Sequence, residues 1–250
     1  MTIAPQTILP DLSVLDEPPP CADPRGPDGV LSVSAERWAA AQRYEAACWL
    51  VRDRGATSDR DAEHAIRFDG YREIAGRGFR RAIELGCGPF TQTRCILSCS
   101  VEIDSLTLVD PLLDRYEELP LCAYSSLARG RQLVRYASQL EGFALPAAGF
   151  DLVISINVLE HCRDYVACLD SIRGLAAKGG RIVVAEAGIA RENLDEVLLK
   201  TWDAGHPIRV ADDRFQRDIE SLGTPLYARM FPGLYGKEWR RDFYYILEAK

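Results

Sequence analysis

Glycines and acidic residues follow two short apolar segments, where parallel strands would present them at one edge of a sheet. The segment AIEL contains Glu84 and is followed by Gly86, Cys87 and Gly88. One glycine permits a tight turn, and the other lets the backbone approach a ligand without a Cβ in the way. Asp110 ends the next segment, LTLV, 22 residues beyond Gly88. An acidic side chain there can accept hydrogen bonds from both hydroxyls of a ribose.

The charge of Glu84 and the residues after the glycines indicate which ligand this turn would bind. A dinucleotide-binding turn would continue to a third small residue, but that position is Thr91, after Pro89 and Phe90. Glu84 would repel a pyrophosphate and attract an ammonium group. We therefore expect Glu84 to face, directly or through water, the ammonium end of a zwitterionic ligand. With a ribose at Asp110, this predicts a nucleoside that carries an amino acid, and S-adenosylmethionine is that molecule.

Short apolar, β-branched segments alternate with segments of helical period from residue 80 onward. The interval between the fourth and fifth strands has this helical period and ends in a KGG turn at 178–180. Such alternation is typical of a parallel sheet covered by helices on both faces. Strands are predicted at 81–85, 106–110, 132–137, 151–156 and 181–186, with a last strand at 242–249 and a candidate partner for it at 225–231.

The N-terminal part of the chain differs from this core. Residues 1–30 hold seven of the fourteen prolines, which predicts a tail or a covering arm. We expect a helical cap over 31–78 and an α/β core over 79–250, the two together forming one compact domain. Ser34 would cap a first helix, and a second helix is predicted from Asp61 to Ile74.

Aromatic residues recur along the first predicted helix. Trp38, Tyr44 and Trp49 would form either a face that packs on the core or a lid over the binding pocket.

Composition and charge exclude several classes of function. The net charge is −7 and the basic residues are scattered, so we expect no nucleic-acid partner. No segment approaches the roughly 18 apolar residues of a membrane span, and no signal peptide is evident, which predicts a cytoplasmic protein. The eight cysteines are expected to be reduced thiols. Cys95 and Cys99 lack further ligands at suitable spacing, so no metal is expected. Whether the chain forms a homodimer is left open by the sequence.

Four motifs in order resemble those of class I S-adenosylmethionine-dependent methyltransferases. They are Glu84 with GCG, Asp110 after LTLV, FDLVISINVLEH at 150–161 and GLAAKGGRIVVAE at 174–186. The resemblance covers about residues 65–190 and is strongest to the small-molecule branch with LEH after the fourth strand. It implies a doubly wound, seven-stranded Rossmann-like sheet, mostly parallel with one antiparallel strand near the C-terminus.

The resemblance also implies which residues bind S-adenosylmethionine and its product, S-adenosylhomocysteine. The methionine part would lie against the glycine turn and Tyr71, the ribose against Asp110, and the adenine after the third strand. That strand is not followed by the Asp usual in the family. The implied set is Tyr71, Glu84, Gly86, Cys87, Gly88, Asp110, Pro111, Ser138, Gln139, Leu140, Asn157 and Val158.

Two histidines are candidates for a general base acting on the acceptor. Displacement at a sulfonium depends chiefly on positioning, and a base is needed only if the acceptor carries a proton of high pKa. His206 is the preferred candidate, because it lies in a loop after the fifth strand that could reach across the pocket to the acceptor. His161 follows the fourth strand and would be occupied with holding the cofactor turn near Asn157 and Val158. Structural hydrogen bonds would explain either histidine equally well.

The predicted reaction is methyl transfer to an oxygen or nitrogen atom of a soluble small molecule, such as a natural-product or sugar intermediate. Three alternatives stay open. They are an NAD-dependent oxidoreductase, a non-catalytic S-adenosylmethionine-binding module, and an enzyme that transfers another group of the same cofactor, such as aminopropyl.

Overall fold

The computed structural model describes residues 23–51, 60–120, 122–143, 145, 149–201 and 203–250. Most of the predicted Pro-rich tail, residues 1–22, lies outside the described residues. The strands of the described part are β1 Gly29–Val30, β2 Gly78–Leu85, β3 Glu102–Val109, β4 Gln132–Tyr136, β5 Phe150–Ile156, β6 Ala176–Ile189, β7 Arg209–Val210, β8 Gly223–Pro232 and β9 Arg240–Ala249.

Helices lie between most of these strands. The α-helices are α1 Ala35–Val51, α2 Arg60–Arg67, α3 Thr93–Leu97, α4 Leu113–Tyr116, α5 Tyr124–Leu127, α6 Tyr165–Leu175, α7 Leu194–Lys200 and α8 Asp212–Leu222. Single 3-10 turns span Asp69–Tyr71, Leu159–His161, Arg191–Asn193 and Leu234–Gly236.

Seven strands form one mixed sheet in the order β4-β3-β2-β5-β6-β9-β8. The first five are parallel, and β9 runs antiparallel to both of its neighbours. This confirms the predicted doubly wound, seven-stranded sheet. The chain winds outward in opposite directions from β2 and β5, so the crevice at their carboxyl ends is where such sheets bind ligands.

The sheet is covered on both faces because its central strands are apolar on both sides. Successive residues of a strand point to opposite faces, so Ala82 and Ile83 belong to different cores. On one face Ile83 packs in the cluster that contains Ile172 of α6 and Phe215 of α8. On the other face Ala82 packs in the cluster that contains Ile96 of α3.

Two predicted local features are wrong. The helix predicted from Asp61 to Ile74 ends at Arg67, because Asp69, Gly70 and Tyr71 all have positive φ and cannot continue it. The turn predicted at 178–180 lies inside β6, where the register with β5 shifts at a bulge. A glycine pair reads as a turn from sequence but also suits a bulge.

The segment before α1 packs against the end of the core. β1 pairs with β7 in a separate two-stranded sheet. Asp23 accepts hydrogen bonds from Arg37 Nε and Arg209 Nη2, both at 3.2 Å, and its side chain is 2% exposed. The N-terminal segment is thus fixed to α1 and to the chain after α7.

Candidate functional site

A cavity with an empty volume of about 950 Å3, partly open to solvent, lies at the carboxyl ends of β2, β3 and β5. Ten of the residues predicted to bind the cofactor line it: Glu84, Gly86, Cys87, Gly88, Asp110, Pro111, Gln139, Leu140, Asn157 and Val158.

Glu84 holds the N-terminus of α3. Its Oε1 accepts from the backbone N of Gln92 at 2.6 Å, and its Oε2 accepts from the N and Oγ1 of Thr93 at 3.1 and 2.6 Å. Burial raises the pKa of Glu84 to about 7 in spite of these hydrogen bonds. The buried charge therefore has partners within the protein, besides any ligand that it faces.

The glycine turn and Asp110 fix each other. Gly86 and Gly88 have φ values of 59° and 53°, which favour glycine. Asp110 Oδ2 accepts from the N of Gly88 at 3.1 Å, and its Oδ1 accepts from the N of Leu112 at 2.8 Å. Burial raises the pKa of Asp110 to about 6. A Cβ on Gly86 would lie 2.6 Å from a methyl carbon of Val158, whereas the space at Gly88 is open.

Glu186, three residues before the end of β6, supports the cavity wall in the same way, and sequence reasoning missed it. Its Oε1 accepts from the backbone N of Val158 and Leu159 at 2.6 and 2.8 Å. These bonds hold the turn after β5, where Asn157 has a φ of 59°. Burial and the nearby charge of Glu160 raise the pKa of Glu186 to about 8. The sequence signal that could have identified Glu186 is a single acidic residue near the end of an apolar strand, as at Glu84.

Two residues assigned to the cofactor do not line the cavity. Tyr71 is fully buried, and its hydroxyl donates to Gln92 Oε1 at 2.8 Å, so it contacts a residue of the cavity wall. Ser138 donates through Oγ to the carbonyl of Gln139 at 3.1 Å. Their contact with a cofactor stays a prediction.

The N-terminal helices supply the remaining wall, and sequence reasoning found only part of it. The cavity is also lined by Trp38, Gln42, Glu45 and Trp49 of α1, with Asp61 and His64 of α2. Trp38 Nε1 and Gln42 Nε2 donate to the carbonyl oxygen of His161 at 3.2 and 3.3 Å. Trp38 and Trp49 of the aromatic face therefore both pack on the core and face the cavity, whereas Tyr44 is not among the residues that line it.

The two candidate histidines lie together, with ring centroids 4.6 Å apart. His161 lines the cavity described above, whereas His206 and Glu160 line a second cavity, with an empty volume of about 910 Å3, between the ends of β6, β7 and β9. His206 Nδ1 is 2.8 Å from Asp203 Oδ2. Burial opposes a charge on His206, yet Glu160 and Asp203 outweigh it and raise its pKa to about 9.

None of the helices in the described ranges is long and apolar enough to cross a membrane.

Solved methyltransferase structures share this fold. N-methyltransferase NodS from Bradyrhizobium japonicum WM9, bound to S-adenosylhomocysteine, aligns with a TM-score of 0.58 over 85% of this chain and 98% of NodS, at 15% identity. The 1,6-didemethyltoxoflavin N1-methyltransferase from Burkholderia thailandensis gives 0.58 over 87% and 92%, at 15% identity. The mitomycin 7-O-methyltransferase MmcR gives 0.56 over 85% and 60%, at 18% identity. No curated protein sequence matches the chain.

Residues 83–184 match the family described as methyltransferase domain, Methyltransf_11. The matched segment holds the glycine turn, Asp110 and the turn at Asn157, all of which line the cavity.

Proposed function

We propose that the chain transfers the methyl group of S-adenosylmethionine to an oxygen or nitrogen atom of a small-molecule acceptor. One observation carries this proposal. A single cavity joins the glycine turn and Asp110 at one part of its wall to His161 and the aromatic face of α1 at another. That arrangement leaves room for an acceptor beside the cofactor. The names of the three similar structures, two N-methyltransferases and one O-methyltransferase, are consistent with it.

We propose that the cofactor binds with its amino acid end toward Glu84 and its ribose hydroxyls toward Asp110. Both oxygens of Glu84 already accept hydrogen bonds from α3, so an ammonium group would interact through a bridging water or the remaining lone pairs. The turn at Asn157 and Val158 would contribute mainly backbone contacts, and Gln139 and Leu140 would contact the adenine. Each of these assignments is a proposal.

The acceptor would lie against His161, since His161 and not His206 lines the cofactor cavity. His206 would lie on the side of His161 away from the acceptor and would influence the acceptor only through its contact with the His161 ring. If the acceptor carries a proton of high pKa, His161 is the proposed group that removes it, because a pKa of about 9 keeps His206 protonated near neutral pH. The carbonyl of His161, held by Trp38 and Gln42, would keep the ring in place.

Residues 31–78 and 79–250 are proposed to form one compact unit, because α1 and α2 line the cavity together with core residues. Membership of the small-molecule branch with LEH after the fourth strand and a cytoplasmic location are also proposals. The described cysteines are all free thiols, which supports a reducing compartment.

The direct test combines binding and turnover. Calorimetric titration with S-adenosylmethionine and with NAD separates a methyltransferase from an oxidoreductase. Transfer of a radiolabelled methyl group is then measured with a panel of hydroxylated and amino-substituted small molecules. His161→Ala should lower turnover on an accepted compound by about 10² to 10⁴ with little change in cofactor affinity. Binding of the cofactor without turnover on any compound would favour a non-catalytic module.

A further inference from the structure

Glu160, His161 and His206 form a cluster between the two cavities. Each offers one ligand atom, and these atoms lie within 4.8 Å of one another. We propose that this cluster binds one divalent first-row transition-metal ion, such as Zn2+ or Fe2+. Two imidazoles and one carboxylate are a common donor set for these ions and leave further coordination positions open.

The spacing of His206 and Glu160 fits a shared ion better than a direct ion pair. His206 Nε2 lies 3.6 Å from Glu160 Oε1. A charged hydrogen bond between nitrogen and oxygen is about 2.7 to 2.9 Å long. Two ligands that each lie about 2.0 to 2.2 Å from a tetrahedral zinc ion are about 3.4 Å apart. The observed separation is therefore close to that of two ligands of one ion.

Both imidazoles are oriented as in known metal sites. His161 Nδ1 is 3.1 Å from the carbonyl oxygen of Gly205, and His206 Nδ1 is 2.8 Å from Asp203 Oδ2. A carbonyl and a carboxylate can only accept, so each Nδ1 carries the hydrogen and an ion would bind through Nε2. Metal-binding histidines almost always donate their other ring N–H to such an acceptor, which fixes the tautomer and the ring plane.

The Glu160 carboxylate lies 3.6 Å from His206 Nε2 but accepts none of the backbone hydrogen bonds that hold the other buried acids of the site. Its side chain is 11% exposed, and no residue of the described part of the chain donates a hydrogen bond to it. Glu84 and Glu186, by contrast, accept hydrogen bonds from backbone amides. His206 is 33% exposed, so an ion could enter from the side of the second cavity.

A rival metal cluster consists of Glu141, Cys162 and Cys168. Its carboxylate is already engaged, because Glu141 Oε1 accepts from the backbone N of Arg163 and Asp164. Cys162 and Cys168 are buried, and the Cys162 thiol donates to the carbonyl oxygen of Val158 at 3.4 Å. The histidine cluster is therefore the better site.

What the ion would do rests on the proposed function, whereas its binding does not. An ion held by both histidines leaves neither ring free to take a proton. The hydroxyl or amine of an acceptor bound to the ion would instead lose its proton to water and keep the electron pair that attacks the methyl carbon. The carbon–sulfur bond pair would pass to sulfur and give S-adenosylhomocysteine.

The test is metal binding by the untagged, full-length protein after treatment with a chelator. Zn2+ and, without oxygen, Fe2+ are titrated by calorimetry, and Co2+ is followed by visible absorption. We expect one ion per chain, with Glu160→Gln, His161→Ala and His206→Gln each weakening affinity at least tenfold. Asp203→Asn changes the acceptor of His206 Nδ1 and the side chain that accepts from the backbone N of Gly205 and His206, and it should weaken affinity about 10- to 100-fold. Cys168→Ser should leave affinity unchanged.

The proposal is overturned if no ion binds with a Kd below about 100 μM, or if the three ligand variants bind as the parent does. It is also overturned if Cys168→Ser abolishes binding or Co2+ produces a thiolate charge-transfer band, since the ion would then lie at the rival cluster. Binding of S-adenosylhomocysteine by every variant checks that the fold is intact. Because this ligand binds elsewhere in the site, loss of metal binding alone leaves the proposed methyl transfer standing.

Discussion

The proposed ribose contact at Asp110 predicts a specific dependence of cofactor affinity on pH. The ionised carboxylate can accept from both ribose hydroxyls, and the protonated form accepts less well. Because burial raises the pKa of Asp110 to about 6, this group titrates in the free protein where binding can be measured. If only the ionised form binds, the contribution of Asp110 weakens S-adenosylhomocysteine affinity about tenfold between pH 7 and pH 5.

Asp110→Asn removes this titration. At pH 7 the variant should bind S-adenosylhomocysteine about 10- to 100-fold more weakly, the loss of one hydrogen bond to a charged group at roughly 1.5 to 3 kcal/mol. Glu84, with a pKa of about 7, adds its own dependence in both proteins. The quantity to compare is therefore the ratio of Kd at pH 5 to Kd at pH 7, which should be about tenfold smaller in the variant.

Calorimetric titration at pH 5, 6 and 7 measures these constants. Asp104→Asn, on the exposed part of β3, is the matched control and should behave as the parent. An unchanged Kd at pH 7 in folded Asp110→Asn would remove Asp110 from the cofactor site. A pH ratio unaffected by the substitution would refute the argument from its ionisation.

The raised pKa of Asp110 also affects the stability of the free protein, which should fall as the pH rises, whereas cofactor affinity should increase. A carboxyl group whose pKa is raised on folding stabilises the protein below its unfolded value, and this contribution is lost as the pH rises through the folded value. For Asp110 the rise in pKa from 3.8 to about 6 corresponds to about 3 kcal/mol. In urea denaturation, Asp110→Asn should therefore reduce the decline in the free energy of unfolding between pH 4 and pH 7.

Three further predictions concern the support of the site. Gly86→Ala should impair both folding and S-adenosylhomocysteine binding, because its Cβ meets Val158, whereas Gly88→Val should cost about 1 to 3 kcal/mol of backbone strain and abolish binding. Normal binding by Gly88→Val in calorimetry would contradict this. Arg37→Met should lower the free energy of unfolding in urea by about 3 to 5 kcal/mol, since it breaks a buried ion pair, and a loss below about 1 kcal/mol would contradict it. Glu186→Ala leaves two buried amides without an acceptor and should cost about 2 to 4 kcal/mol in the same assay, with weaker binding of S-adenosylhomocysteine. Unchanged stability would show that water replaces the carboxylate.

The sheet could be predicted from sequence because its strands are short, apolar and separated by helical segments. Six of the predicted strands stop short of the observed strand at one end or at both. The predicted strand 181–186, for example, corresponds to the observed strand Ala176–Ile189. Periodicity identifies the buried middle of a strand better than its ends, where polar residues still pair with a neighbour.

Sequence could predict that ten of the proposed cofactor residues lie together, because they follow single strand ends in order along the chain. The wall formed by Gln42, Glu45, Asp61 and His64 could not, since the docking of α1 and α2 on the core leaves no periodic signal in sequence. Glu84 shows the same limit. Its charge identified a buried acid that needs partners, but sequence alone did not indicate that α3 supplies three of them.

The two-stranded sheet of β1 and β7 has a consequence for the order of folding. The ion pair between Asp23 and Arg209 that accompanies it joins residues 186 positions apart. Closing so long a loop costs chain entropy that is recovered only when the core already holds the two segments close together. β1 is made early in synthesis but can pair only after β7 has emerged. The loop that carries His206 would therefore reach its final position late, after the cofactor-binding strands are in place.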